Sequence, residues 1–167
     1  MDSEKGTSTA FNSSSTTIPG GEYDVFLSFR GPDTRETFTD YLYTSLKDAG
    51  VRTFQDNNDL RIGEEIGPEL LEAITQSKIS IPIFSKDYAS SKWCLRELSQ
   101  MVECKRTTRQ MILPIFYDVE PFQVRHQSGS YEEAFRNHES CFQESTVKEW
   151  KEALREVGAL KGFREKS

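Results

Sequence analysis

Short apolar runs of strand length, alternating with amphipathic helical stretches, predict an α/β domain built on a parallel sheet with helices on both faces. The runs lie at 23–29 (YDVFLSF), 51–54 (VRTF), 79–85 (ISIPIFS) and 111–117 (MILPIFY), and they are rich in β-branched and aromatic residues. They read as near-continuous apolar segments, as strands covered on both sides do. Helix-period stretches fall between them at about 35–49, 68–77 and 91–105, which is the alternation of βαβ units.

Taken in order, residues 1–20 end in NSSSTTIPGG, rich in Ser, Thr and Gly and without an apolar period. Such a segment buries too little surface to offset its ordering entropy, so a disordered tail is expected. A plastid transit peptide is the sharper alternative for a Ser-rich start, but the stretch has no Arg and carries Asp2 and Glu4. One folded domain is expected over 21–167. Its first strand leads to a helix in which Phe38, Leu42, Leu46 and Ala49 recur at helical spacing, with Gly50 as the stop. Gly67-Pro68 opens the next helix, where Leu70, Leu71 and Ile74 form the buried face. Pro82 and Pro114 sit inside two of the apolar runs, and each lacks a ladder donor. The last third is helical, through SYEEAFRNHESCF and TVKEWKEALREVGAL, with a short fifth strand near 160–163.

Composition narrows the function classes. The chain has 167 residues, enough for one domain to bury a core without staples, and its net charge is −6. That balance argues against nucleic acid or an anionic membrane as the main partner. Cys94, Cys104 and Cys141 are odd in number and lack zinc-site spacing. They read as reduced thiols of a cytoplasmic or nuclear protein. No segment approaches the roughly 20 apolar residues of a membrane span, and Met1-Asp2 lacks the myristoylation pattern. His126 and His138 show neither a triad nor a metal pattern, and no metal site is expected.

In a doubly wound sheet, ligands bind at the carboxyl ends of the strands, where strand order reverses. With order 2-1-3-4-5, that crevice lies between strands one and three. The loop RGPDTR follows the first strand, SKDYASSKW follows the third, and QDNNDLRIGEEIGP follows the second and can lean over the same edge. Arginine matches phosphate oxygens with a fixed fork of donors, a helix N-terminus adds oriented N–H groups, and Trp93 offers a stacking surface. The set suits a nucleotide carrying phosphates. On the helix after strand three, Cys94, Leu95, Leu98, Met101 and Val102 make one apolar face. Glu97 lies about 100° from the centre of that face, with Trp93 on the same flank. A border residue at a ligand crevice and an ordinary solvated Glu beside Arg96 both fit this pattern.

The stretches YDVFLSFRGPDTRETFTDYLYTSL, GEEIGPELLEAITQSKISIPIFSKDYASSKWCLREL, ILPIFYDVEPFQVRHQSGSYEEAF and WKEALREVGALKGF resemble, in that order, the plant-type TIR (Toll/interleukin-1 receptor) domain. The similarity covers about 22–164. Such domains front nucleotide-binding leucine-rich-repeat immune receptors or occur as TIR-only proteins. The resemblance implies a flavodoxin-like three-layer sandwich with a five-stranded parallel sheet, and cleavage of the nicotinamide–ribose bond of NAD+ or NADP+, with no prosthetic cofactor. The family's catalytic glutamate falls in a W-C-x-x-E-L motif, here at Glu97. By the same resemblance, Arg30 and Arg35 contact phosphates or ribose, Trp93 stacks on a substrate ring, and Arg61 lies near the 2′-phosphate of NADP+. Phe29, Gly31 and Asp33 then shape the pocket floor, and Ile62, Gly63 and Glu64 its lid. Plainer readings stand beside these: Asp33 capping the first helix, Gly31 serving a turn, Arg35 pairing with a carboxylate. Cys94 matches a cysteine linked in some members to making 2′,3′-cyclic nucleotides, against a reading as a small buried apolar residue.

The resemblance further implies homo-oligomers with other TIR domains, in which a neighbour completes the site. It also implies signalling, through the nucleotide products, to downstream lipase-like immune proteins. One family interface uses the first helix, where Asp40 and Tyr41 lie on the matching face; another uses the helical region at about 145–160. The family's final helix is expected to be missing, which puts the first interface in question. A non-catalytic TIR–TIR interaction module is the alternative function. A phospho-receiver or flavin domain of the same fold fits poorly, because Ser85-Lys86 stands where a receiver needs Asp and RGPDTR is a poor flavin phosphate loop.

Overall fold

The computed structural model describes residues 23–55 and 67–167. The tail expected at 1–20 and the loop residues Arg61, Ile62, Gly63 and Glu64 lie outside them. The strands are β1 (Tyr23–Ser28), β2 (Thr53–Gln55), β3 (Ser77–Phe84), β4 (Met111–Ile112), β5 (Ile115–Tyr117) and β6 (Phe163–Glu165). All pair in parallel, in the order β2-β1-β3-β5-β6, with β4 also on β3. That is the expected 2-1-3-4-5 order, with the fourth strand in two pieces. The break falls at Leu113-Pro114. Leu113 N–H still bonds Ser80 O at 2.9 Å, but Pro114 has no donor to continue the ladder. Pro82, by contrast, leaves β3 unbroken, in register with Ser28 at the end of β1. The last strand starts three residues later than 160. Gly162 precedes it, and a side chain there would collide with the Pro114 carbonyl.

The helices are α1 (Gly31–Thr34), α2 (Phe38–Asp48), α3 (Pro68–Gln76), α4 (Lys92–Thr108), α5 (Pro121–His126), α6 (Ser130–Cys141) and α7 (Glu144–Gly158). The helix expected over 35–49 begins only at Phe38, and a separate short helix, α1, precedes it across a break at 35–37. Thr34 and Thr39 bridge the break through their hydroxyls at 2.7 Å, both buried. Gly50 ends the second of these in a left-handed turn at φ 84°, as its stop signal predicts. In α3 the Pro occupies the first turn, and the buried face is Leu70, Ala73 and Ile74, with Leu71 only half-buried. Ser91 caps α4 by accepting the Cys94 N–H at 3.2 Å, and Lys105 and Arg106 complement the helix dipole at its other end. The short α5, opened by Pro121, was not expected.

Two apolar clusters lie on opposite faces of the sheet. One packs Phe26, Phe84 and Phe116 under α3 to α7, with Trp150, Tyr131 and Leu154 among its buried members. The other comprises Val25, Leu27, Ile81, Ile83, Ile115 and Phe29. Among the described residues its helical cover comes from α2, through Phe38, Leu42, Tyr43 and Leu46. Parallel register places Phe163 beside Ile115, and Phe163 stays 64% exposed.

Candidate active site

The connection from β1 runs to β2 on one side and that from β3 runs to the other, so the carboxyl ends of β1 and β3 form the switch point at which such a sheet opens a crevice. Three segments meet at it: Ser28 to Arg35 after β1, Ser85 to Ser91 after β3, and the first turns of α4. Asp33 fastens the first two. Its Oδ2 accepts from Ser85 Oγ at 2.6 Å and from the Asp87 N–H at 3.1 Å, while its Oδ1 accepts from Arg30 Nη1 at 2.7 Å. Asp33 is therefore no helix cap. It ties the segment after β1 to the segment after β3 and orients Arg30, whose side chain remains 30% exposed. Tyr131 of α6 adds a further brace, donating its buried hydroxyl to Ser85 O at 2.7 Å. Gly31 is buried at the start of α1. Arg35 places its guanidinium 4.8 Å from the centre of the Phe29 ring, a cation–π contact.

Glu97 is more deeply placed than a border residue: it is 5% exposed, one of the buried residues of α4. Its Oε1 accepts from Ser28 Oγ at 2.7 Å, across 69 residues of sequence. Cys94, one turn earlier, is also buried, and its Sγ donates to Phe29 O at 3.4 Å. Burial first, and then the negative charge of Glu97, push the Cys94 thiol well above its usual range. A thiolate nucleophile is disfavoured there, and the contact set is that of a packing residue. Trp93 is half-buried, and cations cover its ring: Lys92 Nζ lies 4.9 Å and Arg96 Cζ 5.2 Å from the centroid.

Three residues of this neighbourhood escaped sequence reasoning. Ser28, Ser85 and Tyr88 are all buried, and each contributes a hydroxyl to the crevice wall. For Ser28 a signal existed, since a polar residue following the apolar run Val25–Leu27 shares a face with buried Phe26. Asp40 and Tyr41 are far from this wall in character: both are exposed on α2, Tyr41 by 68%. Among the described residues, no three His, Cys, Asp or Glu side chains gather as metal ligands would, and no helix is long and apolar enough to cross a membrane.

The sequence matches the TIR domain family over residues 22–167. The chain belongs to that family. Similar proteins include TMV resistance protein N of Nicotiana glutinosa, 47% identical over 89% of this chain, and Disease resistance protein RPV1 of Vitis rotundifolia, 48% identical over 91% of it. This TIR chain spans only 13% and 11% of those two relatives, respectively. Among solved structures, it is similar to the TIR domains of the activated Roq1 resistosome that recognises the pathogen effector XopQ. There the TM-score is 0.77 at 42% identity, covering 85% of this chain and 87% of the other. The TIR fold and the strand order thus agree.

Proposed function

We propose that this TIR domain cleaves the nicotinamide–ribose bond of NAD+ or NADP+ and, by associating with other TIR domains, starts plant defence signalling. The observation that carries the reading is the position of Glu97, a buried carboxylate at the strand-order switch point of the sheet, beside Trp93. Breaking a ribosyl C–N bond passes through an oxocarbenium-like state, which a fixed carboxylate stabilises. Nicotinamide is cationic while attached and leaves as a neutral base, so no general acid is needed. Water then adds at the anomeric carbon and loses a proton, giving ADP-ribose; attack by an internal nucleophile gives cyclic products. In this reading Arg30 and Arg35 serve the phosphates; Arg61, Ile62, Gly63 and Glu64, which the family resemblance adds, lie outside the described residues. Membership of the family, and relatives named as plant disease resistance proteins, support the signalling part. TIR domains of the Roq1 resistosome support self-association. Lipase-like immune proteins, reached through the nucleotide products in the cytoplasm or nucleus, are the downstream partners of this reading.

Concentrated protein incubated with NAD+ is expected to release nicotinamide, and Glu97→Ala to release about 10²–10³-fold less. Equal release from both, or none even when oligomerised, favours the non-catalytic interaction module instead.

A further inference from the structure

Ser28, the last residue of β1, is 1% exposed, and its single proton is committed. Its Oγ donates to Glu97 Oε1 at 2.7 Å and lies 2.7 Å from the hydroxyl of Tyr88. Tyr88, 0% exposed in the turn between β3 and α4, also reaches the Cys94 carbonyl at 3.3 Å. The geometry points to Ser28 as a positioning residue for Glu97, with Tyr88 as its backing donor. The kinetic consequence rests on the NAD(P)+-cleaving reading; the structural one does not.

Proton counting gives the chain a direction. An ionised carboxylate only accepts, so Ser28 donates to Glu97 and Tyr88 donates to Ser28. If Glu97 is protonated, the chain reverses: Glu97 to Ser28, Ser28 to Tyr88, and Tyr88 to the Cys94 carbonyl. Both states are satisfied and both use the 2.7 Å Ser28–Tyr88 bond, but only the first directs a charge-assisted bond at the carboxylate. Donation to the charged form favours that form. The hydroxyls are also held by stiff elements. Ser28 is in register with Pro82 in the sheet, and the Tyr88 ring packs edge-on against Phe84 at 5.0 Å. Titratable groups around the carboxylate include Tyr88 and Cys94, with Arg30 and Asp33 beyond Cys94. Elsewhere on α4, Arg96 and Glu103 line a separate groove with Glu149 and Glu152 of α7.

The test titrates the ¹³C-labelled Glu97 carboxyl by NMR, assigned against Glu97→Gln, in the unaltered chain, Ser28→Ala and Tyr88→Phe. Nicotinamide release is followed over the same pH range. Loss of the Ser28 hydroxyl is expected to raise the Glu97 midpoint by about one pH unit, and Tyr88→Phe by less. In Ser28→Ala, kcat is expected to fall about a hundredfold with KM nearly unchanged. The acid limb of its pH profile moves up with the midpoint. A Glu97 midpoint that stays put in folded Ser28→Ala overturns the assignment. If Ser28→Ala does not fold, Tyr88→Phe, which keeps the ring in its pocket, decides by the same midpoint. Absence of nicotinamide release from the unaltered chain refutes the catalytic reading alone, and the titration still decides the role of Ser28.

Discussion

The two ends of β1 hold carboxylates in opposite ways. Near its amino end, Asp24 sits among cations. Arg52 reaches it with its backbone N–H at 2.9 Å, Nε at 3.3 Å and Nη2 at 3.2 Å, and Lys78 lies 3.6 Å away. Those hydrogen bonds from Arg52 hold the Asp24 carboxyl down at about 2. At the carboxyl end, Glu97 is buried and reached by the neutral Ser28 hydroxyl, with Tyr88 and Cys94 close by. The first arrangement clips β2, β1 and β3 together at the surface, where water screens most of its strength. The second keeps a carboxylate away from water with a hydroxyl donor on its Ser28 side. One carboxylate is held at the surface by cations, and the other receives a buried hydroxyl.

Three substitutions sharpen or break that contrast. Glu97→Gln has the largest expected effect: it retains an acceptor for Ser28 but loses the charge, so nicotinamide release falls about 10²–10³-fold. Its thermal stability holds or rises, since a charge no longer has to be kept out of water. A marked loss of Tm would mean that Glu97 serves the fold as Asp24 does. Asp24→Asn should behave conversely, leaving kcat unchanged while lowering Tm slightly at neutral pH. The depressed folded value means that the Asp24 contribution is complete above the unfolded value of about 3.9 and disappears as pH falls through about 2. The Tm gap between the two proteins should therefore close across that window, and salt should narrow it at pH 7. The smallest change is expected from Phe163→Ser, on the sheet face covered by α2. With 64% of the side chain already exposed, unfolding in urea should shift by no more than about 0.5 kcal/mol.

Strand and helix faces were legible because burial imposes a period on the residues themselves. Cys94, Leu95, Leu98, Met101 and Val102 are all buried as their spacing predicts. Parallel pairing followed from strands apolar on both sides. What was not legible depends on partners distant in sequence. A helical wheel gives the angle of Glu97 but not the strand opposite, so its depth was underestimated until Ser28 stood across from it. Asp33 looked like a cap because its partners, Ser85 and Asp87, are brought to it only by β3. Breaks at 35–37 and at Leu113-Pro114 hinge on a buried Thr34–Thr39 bond and a missing donor, which change no apolar period. Trp93 is the exception: it read as an open platform, although Lys92 and Arg96, near neighbours on the same helix, lie over its ring.

The links that build the crevice span great lengths of chain: 69 residues for Ser28 to Glu97, 60 for Ser28 to Tyr88, 65 for Cys94 to Phe29 and 52 for Ser85 to Asp33. Loop closures of that size form late, after helices that need only near neighbours. A refolding chain should regain its helical circular dichroism before it regains any competence at this crevice. The site then reports on the completed topology, and a nascent chain stays silent until its third βα unit has docked.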